Sequence, residues 1–195
     1  MTTDVAASAT ADRELLLVEL VDRAGAAIGA CPVGEAHTER ARLHRAFSVL
    51  LYDNDGRVLL QRRAAVKTRF ALRWSNTCCG HPAPGQVVAA AARTRLAEEL
   101  GISAAQTTPL TEAGTFYYRA ADPATPYIEE EWDHVLVGTL TGGDPVPDEN
   151  EVSEIRWVHP DQLAGEIDAR PDEFTPWLAG VLDIAGKLST EGARR

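Results

Sequence analysis

The residues best suited to chemistry gather in one stretch, Trp74 to Ile102, which reads WSNTCCGHPAPGQVVAAAARTRLAEELGI. Two adjacent cysteines, Cys78 and Cys79, are followed by His81, and a helix-patterned segment closes on Glu98 and Glu99. A loop carrying a thiol and an imidazole that runs into a helix carrying carboxylates can collect side-chain donors and backbone carbonyls around one point. A metal and an anionic substrate need such a point. Cys79 is the candidate nucleophile or acid, because a cation beside a thiol lowers its pKa and lets it move protons near neutrality. In an extended segment Cys78 points the other way. A buried structural cysteine is the commoner role, so the thiol needs companions.

Five groups suit a metal: His37, His44, His81, Glu129 and Glu131. Glu129 and Glu131 stand two apart in a strand-patterned run, so their carboxylates share a face, and like charges there invite a cation. Three imidazoles with two carboxylates fit a divalent transition ion such as zinc, manganese or iron. Singly, a histidine near a turn is more often a solvated or satisfied core group, and a glutamate run is more often a solvated edge. Spacing does not make the five meet. Arg95 and Glu99, four apart on the helix, read by default as a surface ion pair worth a few tenths of a kcal/mol. Tyr118 and Trp177 read by default as core aromatics.

Positioning these residues falls to an alternation of strands and helices. Val88, Ala89, Ala92, Leu96 and Leu100 recur at helical intervals between the breakers Pro82, Pro84 and Gly85 and the stop Gly101. Before that helix, strands are expected over Glu14 to Val21, in a short return through Ile28, over His44 to Tyr52 and over Val58 to Gln61. Asp53-Asn54-Asp55-Gly56 makes the hairpin between the last two. Cys31 to Gly34 breaks the chain before His37, Arg62 to Arg73 is a basic, irregular connection, and Trp74 to Thr77 is a short strand feeding the Cys loop. After the helix, strands are expected over Thr111 to Arg119, Tyr127 to Leu140 and Glu151 to Val158. A short helix opens at Pro160 and a longer one covers Glu173 to Leu188. Strands, one helix, strands, then helices is an α+β pattern.

Composition sets the outer limits. The 195 residues, 45% hydrophobic and 25% charged, read as one soluble domain over 14–188, with tails at 1–13 and 189–195. The sequence shows no apolar run of membrane length and no secretion signal, so a cytoplasmic protein without a membrane partner is expected. Three cysteines, two of them neighbours, argue against a disulfide framework. A net charge of -10 argues against nucleic-acid binding. A phosphorylated ligand would need a local basic cluster, mainly arginine, since Lys67 and Lys187 are the only lysines.

Gly80 to Ile102 has the length of a Nudix box: Gly80, Leu96, Glu98, Glu99, Gly101 and Ile102 fit, whereas Gln86, Thr94 and Arg95 replace its expected E, R and E. Around it, AHT at 36–38, LHRAFSV at 43–49, LLQRRA at 59–64, WSNTCCGHP at 74–82, YYRA at 117–120, EEEWDH at 129–134 and FTPW at 174–177 resemble the type I isopentenyl diphosphate isomerases. The resemblance covers nearly all of 14–188 and implies a Nudix-like mixed β-sheet sandwiched by helices. It implies that His37, His44, His81, Glu129 and Glu131 bind one divalent metal (manganese, zinc or magnesium). Cys79 and Glu131 would transfer protons on opposite faces of the substrate. Glu99 and the Cys79 carbonyl would hold a magnesium bridged to the diphosphate, gripped by Arg63, Lys67 and Arg95. Tyr118 would hydrogen-bond near the catalytic glutamate, and Trp177 would face the hydrocarbon.

Val33 stands where many relatives place a lysine that contacts the diphosphate, a loss of about 1.5 to 3 kcal/mol unless a nearby arginine compensates. An isomerase acting as a monomer on a small isoprenoid diphosphate is the expectation. The alternatives are a Nudix pyrophosphohydrolase, disfavoured by Gln86, Thr94 and Arg95, and a degenerate diphosphate-binding module, favoured only by Val33.

Overall fold

A computed structural model describes the backbone of residues 13–192 and the side chains of residues 13–188. The expected N-terminal tail lies, apart from Arg13, outside the described residues, as do residues 193–195. Among the described residues the strands form one nine-stranded mixed sheet. They are β1 (Leu17–Val21), β2 (Ala27–Pro32), β3 (His44–Tyr52), β4 (Val58–Arg63), β5 (Trp74–Ser75), β6 (Cys78–Gly80), β7 (Thr111–Ala121), β8 (Ile128–Thr139) and β9 (Val152–Val158). The helices are α1 (Val33–Ala36), α2 (Val88–Leu100), α3 (Pro160–Ala169) and α4 (Leu178–Gly192).

At the centre, β3 runs parallel to β8 from His44 opposite Glu131 to Tyr52 opposite Thr139, and antiparallel to β6 and β4. Strand β3 is buried on both faces, which explains its near-continuous apolar run. Phe47, Val49 and Leu51 pack towards Leu96 and Leu100 of α2. Leu50 joins Leu60, Val135, Phe174 and Leu178 on the opposite face, where α4 packs. The α+β sandwich is therefore built from the period-two alternation of one strand clothed on both sides.

Several boundaries differ from expectation for local reasons. The first strand begins at Leu17, not Glu14, because Arg13 and Glu14 form a helical turn. The second extends past Ile28 to Pro32, whose missing N–H suits the start of α1, while Val33 N–H bonds back to the Leu16 carbonyl at 2.8 Å. Arg62 and Arg63 belong to β4, not to the connection after it. The Cys loop is itself a strand, β6. The last helix starts at Leu178, since Pro171–Glu173 form a 3-10 turn and Phe174 bridges to Trp74; it continues through Gly192, past the boundary at 188. Gly101 closes α2 in the left-handed region, φ 63°, with its N–H on the Ala97 carbonyl at 3.1 Å.

Candidate active site

Register assembles the site on the sheet face that α4 covers. Tyr118 of β7, Glu131 of β8 and His44 of β3 are direct neighbours across three strands. Further along β3, Ser48 lies opposite Cys79 of β6. Because side chains alternate, Glu129, Glu131 and Asp133 share this face with His44 and Ser48. Cys79 packs with the cluster around α4, and Cys78 is fully buried in the cluster around α2, so the neighbouring thiols serve opposite sides of the sheet.

His37 follows α1, and its Nδ1 lies 2.7 Å from the Val33 carbonyl; His44 Nδ1 lies 2.7 Å from the Arg42 carbonyl. A neutral ring that donates from Nδ1 presents a lone pair at Nε2. Those Nε2 atoms, with His81, Glu129 and Glu131, place five ligand atoms within 4.8 Å of one another. His37 Nε2 is 2.7 Å from Glu129 Oε2, and His81 Nε2 is 2.9 Å from Glu131 Oε1. Despite that proximity, His37 Nε2, His44 Nε2 and Glu129 Oε2 are buried without a hydrogen-bond partner among the described residues. Convergent orphaned lone pairs are costly on their own and are satisfied by a divalent cation, so these side chains fit one.

The electrostatics reflect the crowding of these groups. Burial opposes charge on His37, yet the Glu129 carboxylate beside it pushes its pKa up to about 9. Burial pulls His81 down to about 4 against its bond to Glu131. Burial alone would raise Glu131, but the three histidines around it, His81 at 2.9 Å, His44 at 3.6 Å and His37 at 4.0 Å, hold it well below the usual carboxylate range. Asp133, 1% exposed, is pushed well up by burial and by the Glu131 charge, and accepts the Ser48 O–H at 2.7 Å.

Across the cavity, burial pushes the Cys79 thiol up to about 12 against the nearby Arg63 charge, so the thiol is protonated at neutral pH. Arg63 Nη1 lies 3.6 Å from its sulfur. Tyr118 donates its O–H to Glu131 Oε2 at 2.5 Å, and burial followed by the Glu131 charge holds the phenol well above its ordinary value. The Trp177 ring sits 5.7 Å from Tyr118 and edge-on to Phe70 at 5.2 Å.

The basic end of the cavity is already engaged. Lys67 pairs with Glu151, and Arg95 pairs with Glu98, Glu99 and, at 3.3 Å, Glu151. The Arg95–Glu99 pair is not the surface pair its spacing suggested: Glu99 is 3% exposed and also accepts from Gln61 Nε2 at 3.0 Å. Arg63, Lys67, Cys79, His81, Arg95, Glu99, Tyr118, Glu129, Glu131 and Trp177 all line one cavity of about 420 Å³, with Val33 in the wall. His37 and His44 are fully buried against Glu129 and Glu131.

A NUDIX domain profile matches residues 42–178. An isopentenyl-diphosphate Delta-isomerase of Nocardia farcinica is 62% identical over 178 residues, 91% of this chain and 99% of that protein. One from Streptomyces griseus is 45% identical over 178 residues, 91% of this chain and 87% of that protein. The chain belongs to the isopentenyl-diphosphate Delta-isomerase family, within the NUDIX fold. Among solved structures, a Deinococcus radiodurans protein aligns at TM-score 0.68 and 19% identity, covering 86% of this chain and 97% of that one. A MutT protein of Methanosarcina mazei aligns at TM-score 0.59 and 18% identity, covering 77% and 95%. Both show the fold alone.

Other residues that hold this isomerase-family site together were assigned no role from sequence. Asn76, fully buried, binds the Cys78 carbonyl and Trp177. Arg69 reaches Glu14 and Glu129, and Glu151 sits between Lys67 and Arg95. Asn76 lies within the WSNTCCGHP run that carried the resemblance but was given no role, Arg69 within a connection read as basic and irregular, and Glu151 stood at the start of a strand. The basic character of 62–73 was the one available hint for Arg69.

Proposed function

We propose that this chain interconverts isopentenyl diphosphate and dimethylallyl diphosphate in isoprenoid biosynthesis, moving a double bond while leaving the diphosphate intact. The observation that carries this reading is the Cys79 thiol and the Glu131 carboxylate facing one cavity with Trp177. The neighbouring helix supports it, with Arg95 where a hydrolase places a carboxylate.

Arg63, Lys67 and Arg95 bind the diphosphate oxygens, which take over from Glu151 as the partners of Lys67 and Arg95. Glu99 and the Cys79 carbonyl would hold magnesium, and His37, His44, His81, Glu129 and Glu131 a second divalent ion: manganese, zinc or magnesium. When bound, the first ion offsets diphosphate charge and the second draws charge from Glu131.

The terminal alkene carbon gains a proton and the carbon next to the diphosphate-bearing one loses a proton, through a species close to a tertiary carbocation. Cys79 and Glu131 exchange these protons from opposite faces. Each donates in one direction of the reversible reaction and accepts in the other. Tyr118 orients Glu131 through its O–H and is placed to pass a proton to and from it. Trp177 presents its aromatic face to developing positive charge. The working unit is a monomer acting on a small-molecule substrate.

Purified protein with magnesium is expected to convert isopentenyl diphosphate without releasing phosphate and, in deuterated water, to introduce deuterium into both isomers. Phosphate release with an unmoved double bond would sink the reading.

A further inference from the structure

We propose that Arg69 is a diphosphate-binding residue of this protein, supplying from the loop after β4 the cation that Val33 does not supply from α1, with Glu14 as the carboxylate it releases when the diphosphate enters. This deepens the isomerase reading above and rests on it.

Val33 and Arg69 both line the cavity. Val33 is buried and apolar, so α1 offers no side-chain charge at this position. Arg69 is only 9% exposed, and its Nη1 lies 3.0 and 3.1 Å from the two Glu14 oxygens. Glu14 in turn lies against α1: a Cβ at Gly34 would stand 3.3 Å from Glu14 Oε2. A single carboxylate therefore separates the Arg69 guanidinium from the start of α1, the wall that lacks a charge. Among the described residues Arg69 Nη2 makes no hydrogen bond, which leaves a donor for a further oxygen. A guanidinium fork that grips a carboxylate presents the same donors to a phosphate.

The loop is shaped to aim this side chain. Phe70 and Leu72 adopt φ 49° and 62°, a region that bulky residues seldom occupy. Such strain persists where surroundings over-determine it, often at ligand clamps. Here the Phe70 N–H is held by Asp122 Oδ2 at 2.8 Å, and the Arg69 carbonyl accepts from Arg63 Nη2 at 2.9 Å. The two arginines are thereby tied into one wall. Arg69 Nε also lies 3.3 Å from Glu129 Oε1, so a rival role is support of the Glu129 carboxylate alone.

The test compares wild type, Arg69→Met, Arg69→Met with Val33→Lys, and Glu14→Gln. For each, the Kd of inorganic pyrophosphate, the KM and kcat for isopentenyl diphosphate and the bound-metal content are measured. Arg69→Met is expected to weaken pyrophosphate binding and raise KM by about tenfold or more, an effect exceeding any fall in kcat. Val33→Lys is expected to restore most of it, and Glu14→Gln to tighten pyrophosphate binding. Unchanged pyrophosphate affinity in Arg69→Met overturns the proposal. So does a loss that follows metal content and is not restored by Val33→Lys. If Arg69→Met does not fold, Glu14→Gln decides, and unchanged or weaker pyrophosphate binding there overturns the proposal. A wild type that binds pyrophosphate without moving the double bond refutes the isomerase reading, while the pyrophosphate comparison still decides Arg69.

Discussion

Trp177 donates its indole N–H to Oδ1 of Asn76 at 3.0 Å, while the Asn76 amide holds the Cys78 carbonyl at 2.6 Å. One buried amide thus fixes the aromatic face and the thiol-bearing strand relative to each other. Trp177→Phe keeps a ring but leaves the Asn76 oxygen with the Ser75 hydroxyl, 2.9 Å away, as its remaining donor. It is expected to cost about 0.5 to 1.5 kcal/mol of stability in urea unfolding and to lower kcat through misplacement of the face. A variant as stable as wild type would show that the bond is dispensable.

Cys79→Ala and Glu131→Gln each remove one proton-transfer group. Each is expected to cut isomerisation by about a hundredfold or more, measured as deuterium uptake from deuterated water. Full activity in both would overturn the assigned roles.

Metal affinity depends on the proton that His37 must lose. Its folded pKa of about 9 lies above the ordinary value, so in metal-free protein the protonated ring contributes stability that is complete below about pH 6.5 and lost as pH rises through about 9. A cation competes with that proton. Log affinity should therefore climb by about one per pH unit between roughly pH 7 and 9, measured by competition with a chelating dye. A flat profile would contradict the arrangement.

Arg95→Glu would set a carboxylate beside Glu98, Glu99 and Glu151 and leave a buried charge unpaired. A loss of about 3 to 5 kcal/mol is expected, read as a fall in Tm, together with a higher KM. Hydrolysis of the diphosphate by this variant would show that restoring one of the box's missing carboxylates is enough to cut.

At Gly101, any β-carbon would meet Val146 Cβ and the Val146 carbonyl at 3.2 Å, in a left-handed backbone position. Gly101→Ala is expected to destabilise by about 1 to 2 kcal/mol, seen in the unfolding midpoint with m unchanged.

Elements with strong periodicity were legible from the chain alone. Helix α2 follows its apolar spacing to Leu100 and stops at Gly101 as expected, and β3 follows its apolar run. The metal group was legible only as residue types, because its convergence depends on the pairing of His44 with Glu131 across strands far apart in sequence. Resemblance to a family, not spacing, joined those residues in advance. Arg69, Asn76 and Glu151 stayed hidden because each acts through tertiary partners. The surface reading of Arg95 and Glu99 failed because helix spacing carries no information about what covers a face; here Gln61 and Glu151 do.

The pairing of β3 with β8 also makes the site a check on folding. Slipping β8 by one residue would turn Glu129, Glu131 and Asp133 away and present Glu130, Trp132 and His134 instead. The native alignment sets Glu131 opposite His44 and so offers a cation its nest of carboxylates, which a one-residue slip removes. An ion bound there would favour that alignment over the slipped one, so metal present during refolding should raise the yield of correctly threaded chains as well as the stability of the finished fold.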